Sequence, residues 1–257
     1  MTNREILEIA MAQSAVDLGA DARDFEKSEN VIVTSQASEG ARRYLSLPFS
    51  CQLVSYGGNV VASVSPAYRD ITEKYVQSYP VEHLFETPNL HVLNDALASV
   101  GQRICFMAEY FLPDLNALRP LDCPYTLRIL TQADFAALYL PAWSNALCEK
   151  RKELDVLGIG AYDGDTLVGL AACSADCDGM WQIGIDVLPA YRRQGIASAL
   201  TSRLALAILD HGKVPFYCAA WCNVKSVRNA IKSGFRPAWV EMTAKPTEAV
   251  DEFNRLK

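Results

Sequence analysis

The sequence predicts an α/β protein in two parts, a C-terminal mixed sheet flanked by helices and a smaller N-terminal α+β domain. Three observations point there. Of the 257 residues, 50% are apolar and 21% charged, ordinary for a globular chain and enough to bury a core. Pro113, Pro120 and Pro124 punctuate a short stretch, which sets the border between residues 1–120 and 121–257. Beyond that border, β-capable runs alternate with runs of helical apolar spacing, the pattern of a sheet covered by helices.

In the N-terminal part, Ile6, Leu7, Ala10, Met11 and Ala15 fall at helical spacing, so a helix is expected from Asn3 to about Gly19. CQLVSYGGNVVASVS reads as two strands around Gly57-Gly58, a hairpin-turn composition. Helices follow in AYRDITEKYVQSY and NLHVLNDALASVG, then a short strand in CFMAEYFL. This order suits a partial copy of the C-terminal fold or an independent module, a lid or a dimerisation surface that would make the protein a homodimer.

In the C-terminal part, YTLRILT reads as a strand, with helices in QADFAALYL and SNALCEKRKEL. DVLGIGAYDGDTLVGLAACSA is a hairpin turning at Gly164, and MWQIGIDVLP is another strand. IASALTSRLALAILDHG places Ile196, Leu200, Leu204 and Ile208 on one helical stripe. VPFYCAAW, VKSVRNAIKSG and PAWVEMTA complete the order as strand, helix and strand.

The net charge of −6 argues against nonspecific nucleic-acid binding, which needs cationic surface. Arg4, Glu5, Glu8 and Asp17 interrupt the first segment, so it lacks a signal-peptide core. No apolar run approaches the roughly 20 residues that span a bilayer. A cytoplasmic protein with no membrane partner is expected. Cys173 and Cys177, with Cys218 and Cys222, allow a four-thiolate site to be drawn. Cys173 and Cys218 lie inside apolar strand-like runs, however, so reduced packing cysteines and no metal are expected.

The stretch DVLPAYRRQGIASAL joins a strand to a helix through a flexible, donor-rich turn. The first amides of a helix have no intrahelical partner, and the helix dipole adds positive charge, which makes an anion site. Gly195 removes a Cβ, Ala197 keeps the next position small, and Arg192 and Arg193 bring charge to the rim. A phosphate or pyrophosphate cradle is one reading, an ordinary helix start with solvated arginines the other.

The wider segment IGIDVLPAYRRQGIASAL resembles the acyl-CoA-binding core of the GNAT superfamily of N-acetyltransferases. The matching residues are Val187, Pro189, Tyr191, Arg192, Gly195 and Ala197. WCNVKSVRNAIKSGF resembles a second element of that family through Asn223, Ser226, Gly234 and Phe235. The resemblance covers roughly residues 125–245 and extends to bacterial two-domain GNAT proteins of unassigned substrate. It implies acetyl-CoA as co-substrate and direct transfer of its acetyl group to an amine; it does not supply the acceptor, for which a small-molecule amine rather than a protein amine is expected. It also implies that Ile185, Asp186 and Val187 bond the pantetheine and that the amides of Arg193, Gln194, Gly195, Ile196, Ala197 and Ser198 hold the pyrophosphate. Asn223 and Ser226 would stand near the thiol.

The chain departs from the family where proton chemistry is done. The position of the usual tyrosine acid is Ala230, and the region of the usual glutamate is Trp181-Gln182. Asp186 is the remaining carboxylate; it alternates away from Ile183, Ile185 and Val187 and is the candidate base. These gaps leave a non-catalytic acyl-CoA-binding or sensing protein as the alternative. Trp143, Trp181 and Trp221 read as core before pocket wall, and His211 as a helix-dipole partner. Cys222 beside Asn223 reads as no nucleophile, since the family transfers directly. Glu149 and Glu153 form a solvated face that can also attract a cationic amine.

Overall fold

The computed structural model describes residues 1–255, and its packing groups the chain into two interleaved units. One contains Met1–Ile9 and Tyr110–Pro237, the other Ala10–Glu109 and Ala238–Lys257. This grouping departs from the simple border near residue 120, because the last strand goes with the N-terminal segment. That strand's pairing partner is distant in sequence, and such pairing leaves no local trace. Among the described residues, no helix is long and apolar enough to cross a membrane.

The unit made largely of N-terminal residues contains β1 (Val31–Thr34), β2 (Cys51–Ser55), β3 (Val61–Val64), most of β4 (Gln102–Pro113) and most of β10 (Phe235–Pro246). β2 and β3 form the expected antiparallel hairpin, and β10 pairs antiparallel with β2, Val240 opposite Ser55. β1 pairs in parallel with β3; its four residues show no alternation that would have announced it. Helices α2 (Arg69–Ser78) and α3 (Thr87–Ala98) bury Tyr75, Val76, Leu93 and Leu97 with Leu53, Val60 and Ala62. The helix α1 (Asn3–Leu18) starts in the other unit and ends in this one, and α6 (Thr247–Arg255) closes the described chain.

A charge cluster lies buried in this unit. Arg42 is 2% exposed, with its Nε 2.7 Å from Asp17, while Glu241 accepts bonds from Trp239 at 2.8 Å and Gln52 at 3.1 Å. Each carboxylate has several donors, the condition under which buried charge is tolerated.

The other unit holds β5 (Thr126–Thr131), β6 (Asp155–Asp163), β7 (Thr166–Ser174), β8 (Met180–Val187) and β9 (Val214–Ala219). Their order is β9-β8-β7-β6-β5; β5 to β8 are antiparallel neighbours, and β8 and β9 are parallel, so the sheet is mixed. Helix α4 (Ile196–Asp210) buries its predicted stripe of Ile196, Leu200, Leu204 and Ile208 against Ala161, Val168, Ile183 and Tyr217. Helix α5 (Val224–Lys232) adds Ala230 to that core.

Two expected helices are not formed. Residues 132–154 contain only short 3₁₀ turns, at Gln132–Phe135, Pro141–Trp143 and Glu149–Leu154. The amides of Asn145 and Ala146 go to the Asp186 carboxylate, and that of Cys148 goes to Asp155. Amides satisfied by distant side chains have no need of helix carbonyls. Trp143, Ala146 and Leu147 nonetheless pack on Leu170 and Ala172, so the apolar spacing marked burial correctly and the helix wrongly.

Candidate active site

The site is built where β8 and β9 part. They pair only at Met180–Val214, Trp181–Pro215 and Gln182–Phe216. β8 runs on to Val187, still bonded to β7, with Ile185 opposite Ala171 and Val187 opposite Gly169. The edge of Ile183–Val187 that faces away from β7 therefore borders a wedge. On one face of β8, Trp181, Ile183, Ile185 and Val187 pack into the core with α4; Gln182, Gly184 and Asp186 lie on the other.

After β8, a short 3₁₀ turn at Pro189–Tyr191 leads into two left-handed residues, Arg193 at φ 66° and Gly195 at φ 84°. Such alternation turns successive amides toward one side, an anion-binding arrangement. Helix α4 then begins with no side-chain cap. A Cβ at Gly195 would meet nothing within 4 Å, so the glycine serves the positive φ, and the space before the turn is open.

The turn is braced from both sides. Tyr125 donates to Gln194 Oε1 at 2.9 Å, Tyr191 donates to Asp163 at 3.1 Å, and the two rings meet edge-on at 5.6 Å. Arg192 folds back and donates through Nε to the Val187 carbonyl at 2.9 Å, while Arg193 is exposed. The Ser198 hydroxyl donates to Asn229 Oδ1 at 3.1 Å and so does not cap the helix start.

At the start of α5, Asn223 is exposed and its Oδ1 caps the Ser226 amide at 3.3 Å. The Ser226 hydroxyl lies 2.7 Å from that of Tyr217. Ala230, the position of the family tyrosine, is fully buried.

On the opposite face of β8, Asp186 accepts three bonds: from the Asn145 amide at 2.8 Å, the Asn145 side chain at 2.7 Å and the Ala146 amide at 3.0 Å. Gly184 lets this loop lie against the strand, since a Cβ there would overlap the Asn145 carbonyl. Asp155, 1% exposed, accepts from the Cys148 amide at 2.8 Å and from the Tyr139 hydroxyl at 3.2 Å. Burial pushes its carboxyl up to about 6 despite those donors.

The remaining sequence candidates are dispersed. Trp143 is core, Trp181 is half-buried beside His211, and Trp221 is 45% exposed. His211 places Nδ1 2.7 Å from the Ala207 carbonyl at the end of α4. Glu149, Glu153 and Cys222 are exposed, whereas Cys173 is buried, and that burial pushes its thiol up. Among the described residues, no group of His, Cys, Asp or Glu is arranged to hold a metal. Tyr125, Asn145, Asp155 and Tyr217 were not singled out from the sequence. Their partners lie on other elements, so local spacing held no signal for them.

A mixed sheet with parted parallel strands and an uncapped helix after the turn defines a GNAT-like α/β protein. A family model described as GNAT acetyltransferase matches residues 94–238, more than half of the chain, and the chain belongs to that family. It is also similar to solved structures. One is a GNAT-family structure from Novosphingobium aromaticivorans, at 17% identity and TM-score 0.45, covering 56% of this chain and 66% of that one. A GCN5-related N-acetyltransferase-like protein from Streptococcus suis shows 22% identity and TM-score 0.46, covering 61% and 69%. The yncA protein of Salmonella typhimurium, solved with its cofactor acetyl-CoA, shows 18% identity and TM-score 0.35, covering 49% and 95%. No curated protein matches the chain.

Proposed function

We propose that the protein is an N-acetyltransferase that moves an acetyl group from acetyl-CoA to the primary amine of a small molecule by direct transfer. The observation that carries this reading is the parting of β8 and β9 beside a turn that opens into uncapped helix amides. The cradle suits a pyrophosphate, because the space before Gly195 is open and no side chain competes for the first amides of α4. In this reading the amides of Arg193 to Ser198 hold the pyrophosphate, with the charge of Arg192 nearby. The open edge of Ile185, Asp186 and Val187 bonds the pantetheine, and Asn223 and Ser226 meet its thiol end.

The donor supplies an activated acyl carbon; the chain binds it, orients it and handles protons. Asp186 stands as the base, acting through water beside the three bonds that fix it. Its other role, a post for the loop at residues 145–146, is separated from the first by the pH profile of Asp186→Asn. On this reading the acidic chain works in the cytoplasm on a soluble acceptor, as a homodimer and with no nucleic acid, membrane or metal.

A second reading, an acyl-CoA-binding sensor, is favoured by buried Ala230, which offers no acid. Thiol release from acetyl-CoA across a panel of small primary amines, with CoA affinity measured by calorimetry, separates the two. Turnover on at least one amine is expected. Tight CoA binding with no turnover on any of them would establish the sensor.

A further inference from the structure

The inference rests on the acetyl-CoA reading above. Direct transfer leaves a thiolate, and a leaving thiolate is stabilised by a hydrogen-bond donor. Ala230 offers none. At the start of α5, the side-chain oxygen of Asn223 is committed to the Ser226 amide. Ser226 is half-buried, and its hydroxyl is 2.7 Å from that of Tyr217, which is 3% exposed. Tyr217 is the first residue of β9 beyond its last pairing with β8, so this hydroxyl pair lies where the strands part.

We propose that the Ser226 hydroxyl, aimed by Tyr217, holds the leaving thiolate of CoA in place of the absent family tyrosine. Each hydroxyl has one hydrogen to give. Burial pushes the Tyr217 phenol up, so it keeps its proton; either hydroxyl can donate across the 2.7 Å, and the role assigned to Ser226 needs Tyr217 to be the donor to Ser226 Oγ. The Ser226 hydrogen is then free for another acceptor. Asn229 is fixed behind the pair, accepting from Ser198 and donating to Thr201, each at 3.1 Å. In the transfer, the amine nitrogen forms the C–N bond, the C–S bond breaks, and the electron pair stays on sulfur. Ser226 donates a hydrogen bond to that sulfur and keeps its proton. The proton shed by the nitrogen goes to water, and the released thiolate takes its own from solvent. Ser226 is thus a catalytic residue and Tyr217 a positioning residue.

The test needs no acceptor. The thiol of CoA bound to the full chain is titrated by its thiolate absorbance, and affinity for desulfo-CoA is measured beside it. In the wild type the bound thiol should ionise about one pH unit lower than in Ser226→Ala, the worth of one charge-assisted hydrogen bond. Tyr217→Phe should lose part of that shift and Ser226→Thr should keep it, while desulfo-CoA affinity stays within about twofold in all three, since the contact is to sulfur alone. Unchanged thiol ionisation in Ser226→Ala, or in Tyr217→Phe should the alanine variant not fold, overturns the assignment and leaves the acetyl-CoA reading intact. A wild type that binds neither CoA nor desulfo-CoA overturns that reading, and this one with it.

Discussion

On the face of β8 that packs against α4, the first helix amides carry no side-chain cap. On the opposite face, the amides of Asn145, Ala146 and Cys148 are all taken by the carboxylates of Asp186 and Asp155. The same kind of backbone donor is left open on one side and consumed on the other. Open donors beside open space suit an anionic ligand, whereas consumed donors make a fixed wall. The difference teaches that Asp186 and Asp155 consume backbone amides to build the wall, whereas no side chain caps the first amides of α4, where a carboxylate would compete with a phosphate.

The largest break of this contrast is Gly195→Asp, which puts a carboxylate at the open turn. CoA affinity should fall roughly 100-fold or more, since like charges brought together cost several kcal/mol. Unchanged affinity by calorimetry would mean that the pyrophosphate lies elsewhere. On the wall side, Gly184→Ala forces a Cβ onto the Asn145 carbonyl. A stability loss of about 1–3 kcal/mol is expected in urea denaturation. No loss would show that the loop is not held against the strand.

Asp155 sharpens the wall through pH. Its folded value near 6 lies above the ordinary 3.8, so the folded state holds its proton more readily than the unfolded chain. Its contribution to stability is full below pH 3.8 and is lost as pH rises through 6. The wild type should therefore lose stability across that window relative to Asp155→Asn, and parallel urea curves for the two would count against it. Asp186→Asn replaces a charged acceptor of three bonds and should cost about 2 kcal/mol, with a lower transfer rate. An altered pH–rate profile would make Asp186 the base; an unaltered one would leave it as the post of the loop. The smallest effect is Asn223→Ala, which removes the cap of α5 at about 1 kcal/mol. A thermal melt indistinguishable from wild type would show the cap to be idle.

The α4 side was legible in the sequence because its parts are neighbours along the chain. Gly195, the small residues after it and the stripe of Ile196, Leu200, Leu204 and Ile208 follow one another, and helix and turn geometry depend on such local spacing. The wall was not legible. SNALCEKRKEL carries helical apolar spacing, yet Asp186, some forty positions away, claims its amides and turns it into short 3₁₀ pieces. The alternation of Asp186 away from its apolar neighbours was readable; the identity of its partners was not.

The sequence by itself determined the kind of sheet, the strand–turn–helix junction, the family resemblance and the loss of the usual tyrosine at Ala230. Those depend on residue identity and on spacings within one or two elements. Only the tertiary structure decided that β10 returns to pair with β2, that β8 parts from β9 after Gln182, and that Tyr217 stands behind Ser226. These pairings join residues far apart in the chain. Their stability comes from burial and hydrogen bonds made between elements, which no local pattern encodes.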